Sequence, residues 1–290
     1  MIRSFARLAA AAAALVLGLA GPAVAEPALW VIRDADSTLY LMGTVHVLRP
    51  GTPWQEGKVQ AALAQSKELM LEAAGLDDPA TIQPLVRAYG LDPAHPLSAK
   101  LSAQDRPRLA AAAQALGMSP QMLEPMQPWL VALTFSVAPA VKAGFDPGSG
   151  VDTSLSGMAR AAGWPVEGLE TPERQIRYLA EMSPATQLEF LASTLDEVDD
   201  AAAQLDAMVA AWVAGDTDGL EKIFVTEMRE GYPELYDALV VQRNQAWAKV
   251  IAEKLKGSGV TFIAVGAGHT VGPDSVQAEL ARLGIRAERQ

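Results

Sequence analysis

The sequence predicts an α/β fold in which a central mixed sheet is built from two β-loop-α-β units, one near each end of the chain, with a large helical insertion between them. Two observations carry this. Compact β-branched and apolar runs end in glycine near both termini. Each is followed by a Pro/Gly-rich loop and then by apolar residues at helical spacing.

The elements follow in chain order. Residues 1–25 read as a secretory leader. Arg3 and Arg7 precede an unbroken apolar run over 8–20, Gly21-Pro22 breaks it, and Ala23-Val24-Ala25 offers the small-x-small pattern that signal peptidase accepts. The expected mature chain, 26–290, is read as one α/β domain. It opens on two strands, 29–33 and 38–42, joined by the turn chemistry of Asp34-Ala35-Asp36-Ser37. A helix around Val59, Ala62 and Leu63 and a short buried strand over 68–72 complete the first unit.

The last unit repeats the plan. A strand over 260–265 leads into Gly266-Ala267-Gly268-His269, then a helix over 274–283 and a strand over 285–288. Val59-Gln60-Ala61-Ala62-Leu63-Ala64 matches Val276-Gln277-Ala278-Glu279-Leu280-Ala281 closely enough to read as a weak internal repeat. Between the units the periodicity predicts helices over 102–116, 120–141, 151–161, 172–182, 184–215, 216–230 and 232–256, with one strand over 164–167. Pro125, Pro128 and Pro139 should kink or split the second of these.

Composition narrows the function. The chain has no cysteine, which removes disulfides, thiol nucleophiles and thiolate metal sites together. It carries 23 Lys and Arg against 34 Asp and Glu, a net charge of −11, and loss of the leader with Arg3 and Arg7 takes this to −13. Such a balance argues against nucleic acid and anionic membrane as partners. No membrane span is expected after leader cleavage, and the expected location is the periplasm or the medium.

Three histidines are available, and two of them, His46 and His269, occupy the same Gly-x-x-His frame directly after a strand. Loops at the carboxyl ends of parallel strands share one edge, so side chains 223 residues apart can meet there. Glu72 closes the third strand and should reach the same edge. Two imidazoles and a carboxylate suit Zn, Mn, Co or Fe(II), with positions open for water and substrate. Both rings are expected to be partly exposed. His95, between Pro93 and Pro96, reads as a loop residue. Asp152, after Gly150-Val151, reads as a helix cap. Glu170 stands at a strand end, and Arg243 and Asn244 lie in a helix with apolar faces, where burial obliges them to find partners.

Leu29-Trp30, Gly43-Thr44-Val45-His46, Gly150-Val151-Asp152, Leu169-Glu170-Thr171 with Gln175, Arg243-Asn244 with Trp247, and Val265-Gly266-Ala267-Gly268-His269 occur in the order seen in the TraB/PrgY/GumN family, which the chain resembles over nearly all of its mature length. That family is similar to the Tiki proteins, metallopeptidases that need Mn or Co, and is related in fold to erythromycin-esterase and haem-binding ChaN-like proteins. The resemblance implies a metal site at His46, His269 and Glu72 holding Mn, Co or Zn. It also implies that Glu72, Glu170, Arg243 and Asn244 serve catalysis on a peptide or protein substrate. PrgY-type members, which restrain a peptide pheromone, imply an alternative: peptide binding without turnover. The zinc-peptidase pattern His-Glu-x-x-His is absent.

Overall fold

The computed structural model describes residues 26–290. The expected leader, residues 1–25, lies outside them. Six strands form one mixed sheet: β1 (Leu29–Arg33), β2 (Ser37–Thr44), β3 (Glu68–Ala73), β4 (Val166–Glu170), β5 (Gly259–Gly266) and β6 (Ala287–Arg289), in the order β4-β3-β5-β2-β1-β6. The four strands from β4 to β2 run parallel, whereas β1 pairs antiparallel with both β2 and β6. Both end units thus enter one sheet, as the sequence predicts. The first strand of the last unit, β5, lies between the first unit's β2 and β3.

Strand periodicity of two explains how each face is covered. Phe262 and Ala264 join Tyr40, Met42, Leu69 and Leu71 on one face, closed by Val59 and Leu63, Val151 and Leu155, and Trp212. Ile263 and Val265 join Trp30, Leu39, Leu41 and Met70 on the other, against Trp247 and Ile251 of the helix Gln242–Leu255 and Val276 and Leu280 of the helix Val276–Arg282. The helical insertion has apolar clusters of its own, one around Phe135, Leu109 and Leu191 and one around Trp129, Ile176 and Leu235.

Several boundaries differ from expectation, each for a local reason. The insertion's strand begins at Val166 rather than residue 164, because Gly163 caps the preceding helix in the left-handed region (φ 68°) and Trp164 closes that turn through its N–H to Ala159 O. The helix expected over 120–141 breaks between Leu123 and Pro128, while Pro139 is accommodated inside Pro128–Lys142. The long helices expected over 216–230 and 232–256 each contain a π-turn, Lys222–Thr226 and Asp237–Val241. The second ends two residues before Arg243, and such turns often adjoin functional residues. Two helices, Pro79–Leu85 and Leu97–Lys100, form where the sequence reading placed none.

A candidate metal and acid–base site at the carboxyl edge of the sheet

The β2–β5 register pairs Thr44 with Gly266, so the two Gly-x-x-His frames leave neighbouring parallel strands side by side. Glu72, on β3, arrives from the other side of β5. The three groups converge on Gly266: a Cβ there would lie 3.1 Å from Glu72 Oε1, 3.3 Å from His46 Nε2 and 3.6 Å from His269 Cδ2. Gly266 has φ −50°, open to any residue, so glycine is needed here for space and not for backbone freedom.

Each histidine is held by its other ring nitrogen. His46 Nδ1 lies 2.8 Å from Asp152 Oδ2, and Thr44 donates to Asp152 Oδ1 at 3.0 Å. His269 Nδ1 lies 2.7 Å from Asn244 Oδ1, whose amide is oriented in turn by donation from Nδ2 to Asp274 O at 2.7 Å. An oxygen acceptor on Nδ1 requires the proton there, so Nε2 is the nitrogen left to bind once the ring is neutral. His46 Nε2 and Glu72 Oε1 both border the space over Gly266, and His269 Nε2 is 3.8 Å from Glu72 Oε1.

Arg243 completes the centre. Its Nη2 donates to Glu72 Oε2 (2.6 Å) and Glu170 Oε1 (2.7 Å), its Nε to Glu170 Oε1 (3.0 Å), and its Nη1 approaches His269 Nε2 (3.2 Å). Trp247 lies 4.5 Å below the guanidinium and 4.5 Å from the His269 ring, and donates through Nε1 to Glu170 Oε2. Glu72 Oε1 also accepts the Gly266 N–H at 2.7 Å. Arg243, Asn244, Glu72 and His269 are buried, whereas 61% of the His46 side chain meets solvent. The expectation of two partly exposed rings therefore holds for His46 alone.

The electrostatics follow from these contacts. Burial alone would raise the Glu72 carboxyl, but Arg243 and the two histidines hold it well below the usual range. Burial, reinforced by Arg243, pushes His269 down to about 3, so it is neutral at pH 7. At His46, neighbouring protein disfavours the charged ring, yet the Asp152 carboxylate outweighs this and raises it to about 9. Burial raises Glu170 against the pull of Arg243. Glu72 and Glu170 share the single Arg243 guanidinium and a third carboxylate, Asp152, pairs with His46, leaving the site with surplus negative charge when the imidazoles are neutral. Among the described residues, no three His, Asp or Glu side chains form a ready metal cage. Arg243 Nη1 occupies the approach to His269 Nε2 instead.

The structure thus brings together His46, His269, Glu72, Glu170, Arg243 and Asn244. His95 stays apart, paired with Asp92 in an exposed loop. Asp152 is not the cap it was read as: its helix has no side-chain cap, and its carboxylate serves His46 and Thr44. Gly150 makes that possible. A Cβ there would fall 2.1 Å from His46 O, and Val151 N–H bonds Val45 O, so the segment lies directly against the His46 loop.

A family model described as TraB/PrgY/gumN matches residues 28–289. The chain belongs to the TraB/PrgY/gumN family. Relatives in this family include the uncharacterized protein YbaP of Escherichia coli, 26% identical over 248 residues, which cover 85% of this chain and 89% of YbaP. YbaP of Shigella flexneri matches to the same extent. An uncharacterized protein of Treponema pallidum is 22% identical over 264 residues, 87% of this chain and 79% of that one. No solved structure matches the chain.

Proposed function

We propose that this family member is an exported metal-dependent hydrolase acting on peptides, with His46, His269 and Glu72 as the ligands of Mn, Co or Zn. One observation carries the reading: both imidazoles have Nδ1 committed to an oxygen acceptor, and His46 Nε2, the His269 ring and Glu72 Oε1 converge over Gly266. Orientation of a histidine through its distal nitrogen is the usual support of a metal ligand. The donor set, a neutral imidazole at His269, the His46 imidazole after it releases its second proton to an incoming cation, and one carboxylate oxygen, fits these metals, and the surplus negative charge suits a divalent cation. A metal held there would polarise a carbonyl and bring the pKa of bound water to about 7.

The chain's own groups supply the rest. Asp152 and Asn244 fix the rings, and Glu170 and Trp247 hold the guanidinium of Arg243. Nη1 is the Arg243 nitrogen whose partner is uncharged, so it is the donor free to turn toward a substrate carboxylate or toward oxyanion charge as it develops. His46, open to solvent, marks the side from which substrate enters.

The alternative is a protein that captures peptides without cleaving them. The Nη1 contact that engages the His269 lone pair favours it. Metal analysis of the purified protein, followed by digestion of a peptide library with Mn, Co or Zn and with chelator, separates the two. Chelator-sensitive cleavage supports the hydrolase; stable peptide binding indifferent to metal supports capture. Among the described residues no helix is long and apolar enough to cross a membrane. Export is tested by the intact mass of the protein recovered outside the cytoplasm, which should begin at Glu26.

A further inference from the structure

Gln175 carries a buried acceptor without a partner among the described residues. Its Nε2 donates to Glu72 Oε2 at 3.1 Å, and its Oε1 is buried with no hydrogen bond. Turning the amide over would press Oε1 against the carboxylate, so the orientation is fixed by Glu72 alone. A buried acceptor left unsatisfied lowers stability, and methionine, of similar length and helix propensity, would avoid that penalty. The benefit of the amide must lie in what Nε2 does.

The two oxygens of Glu72 have different duties. Oε1 accepts from Gly266, lies 3.8 Å from His269 Nε2 and borders the same space over Gly266 as His46 Nε2; Oε2 accepts from Arg243 and Gln175. Arg243 Nη2 is shared between Glu72 and Glu170, at 2.6 and 2.7 Å, and Nε also serves Glu170. The guanidinium can therefore slide toward Glu170, whereas Gln175 is a side-chain donor that serves Glu72 alone.

We propose that Gln175 is a positioning residue that holds Glu72 with Oε1 turned toward His46 and His269, at the expense of stability. The importance of that orientation rests on Glu72 acting as a metal ligand; the orientation itself does not. In Gln175→Met the acceptor disappears together with the donor. The thermal midpoint should stay level or rise, a crystal structure should show Glu72 rotated or divided between two orientations, and Mn2+ affinity, read from the free-ion electron paramagnetic resonance signal, should fall about 10- to 100-fold. A role in packing alone predicts the reverse: a lower midpoint, Glu72 unmoved and Mn2+ affinity unchanged. Should the parent take up no Mn2+, the metal reading fails, and the Glu72 orientation in Gln175→Met still decides the proposal. Glu72 unmoved in that variant overturns it. If Gln175→Met does not fold, Gln175→Leu replaces it in the same measurements.

Discussion

Arg243 Nη1 stands 3.2 Å from His269 Nε2, the ring nitrogen that the Asn244 contact leaves with a lone pair. A permanent cation thus sits within the set of groups that would hold a metal, and the same guanidinium balances Glu72 and Glu170. Stability and chemistry are therefore coupled through one side chain.

Arg243→Ala should destabilise the protein by about 3–5 kcal/mol, because two buried carboxylates lose their counter-ion. Arg243→Lys should recover only part of this, since an ammonium cannot reproduce the fork that serves Glu72, Glu170 and His269 together. Urea denaturation of the three proteins gives the comparison. A loss under about 1 kcal/mol for Arg243→Ala would show that the carboxylates are not charged as described.

Without metal, the two histidines should limit stability on opposite sides of pH 6.5, their unperturbed value. His269 is lowered to about 3, so as the pH falls from 6.5 the unfolded chain takes a proton that the folded chain refuses, and stability declines. His46 is raised to about 9, so its contribution is complete below 6.5 and is lost as the pH rises through 9. Solvent at the open edge of His46 should make this alkaline limb the shallower one. Thermal midpoints from pH 4 to 10 in chelator should fall on both sides. His46→Gln should flatten the alkaline limb and His269→Gln the acid limb, and an unchanged profile in both would contradict the assignment.

Gly266→Ala should separate folding from site function. The backbone accepts alanine, but its methyl would stand 3.1 Å from Glu72 Oε1 and 3.3 Å from His46 Nε2, in the middle of the site. The expected cost is about 1 kcal/mol with metal uptake abolished. Gly43→Ala, whose methyl would meet Thr270 Oγ1 at 2.7 Å and Ala267 Cα at 2.9 Å, should cost more, about 2–3 kcal/mol. Denaturation paired with metal titration tests both, and full metal affinity in Gly266→Ala would move the site elsewhere.

His46→Ala and His269→Ala should both lose metal, yet differ in stability. His46 is largely exposed, and its removal should cost about 1 kcal/mol, the solvent-screened worth of its pair with Asp152. His269 is buried against Trp247 and bonded to Asn244 and Arg243, so its loss leaves a cavity and unpaired groups worth about 2–3 kcal/mol. His95→Ala should match the parent in both assays. Asp152→Asn, which weakens the hold on His46, should lower metal affinity about 10- to 100-fold in a folded protein. Equal stabilities for the two site variants would argue against the burial of His269.

The parts of this site legible in the sequence were those that strand topology dictates. A strand ending in Gly-x-x-His places its histidine at the carboxyl edge, and two such strands in one sheet bring the rings together whatever lies between them. Asp152 was not legible, since an acidic residue near a helix start is equally well explained as a cap. Only the contact of Gly150 with the His46 carbonyl shows that the helix start lies against the loop. The burial of His269 was hidden for a similar reason: it depends on Trp247 and Asn244, carried by a helix whose approach to β5 no local pattern specifies. The π-turns were illegible because the surrounding apolar periodicity is that of an ordinary helix.

The placement of β5 between β2 and β3 bears on when the protein can first acquire its chemistry. A chain leaving the ribosome presents His46 and Glu72 early, but the strand that separates and aligns them arrives only with the last tenth of the sequence. Until then the first unit has a gap where a strand belongs, and His46 and Glu72 lack the partner that sets their spacing. Pairings of such long sequence separation form slowly. A nascent or prematurely terminated chain therefore cannot bring His46, Glu72 and His269 together, and the cluster closes only once β5 has been made.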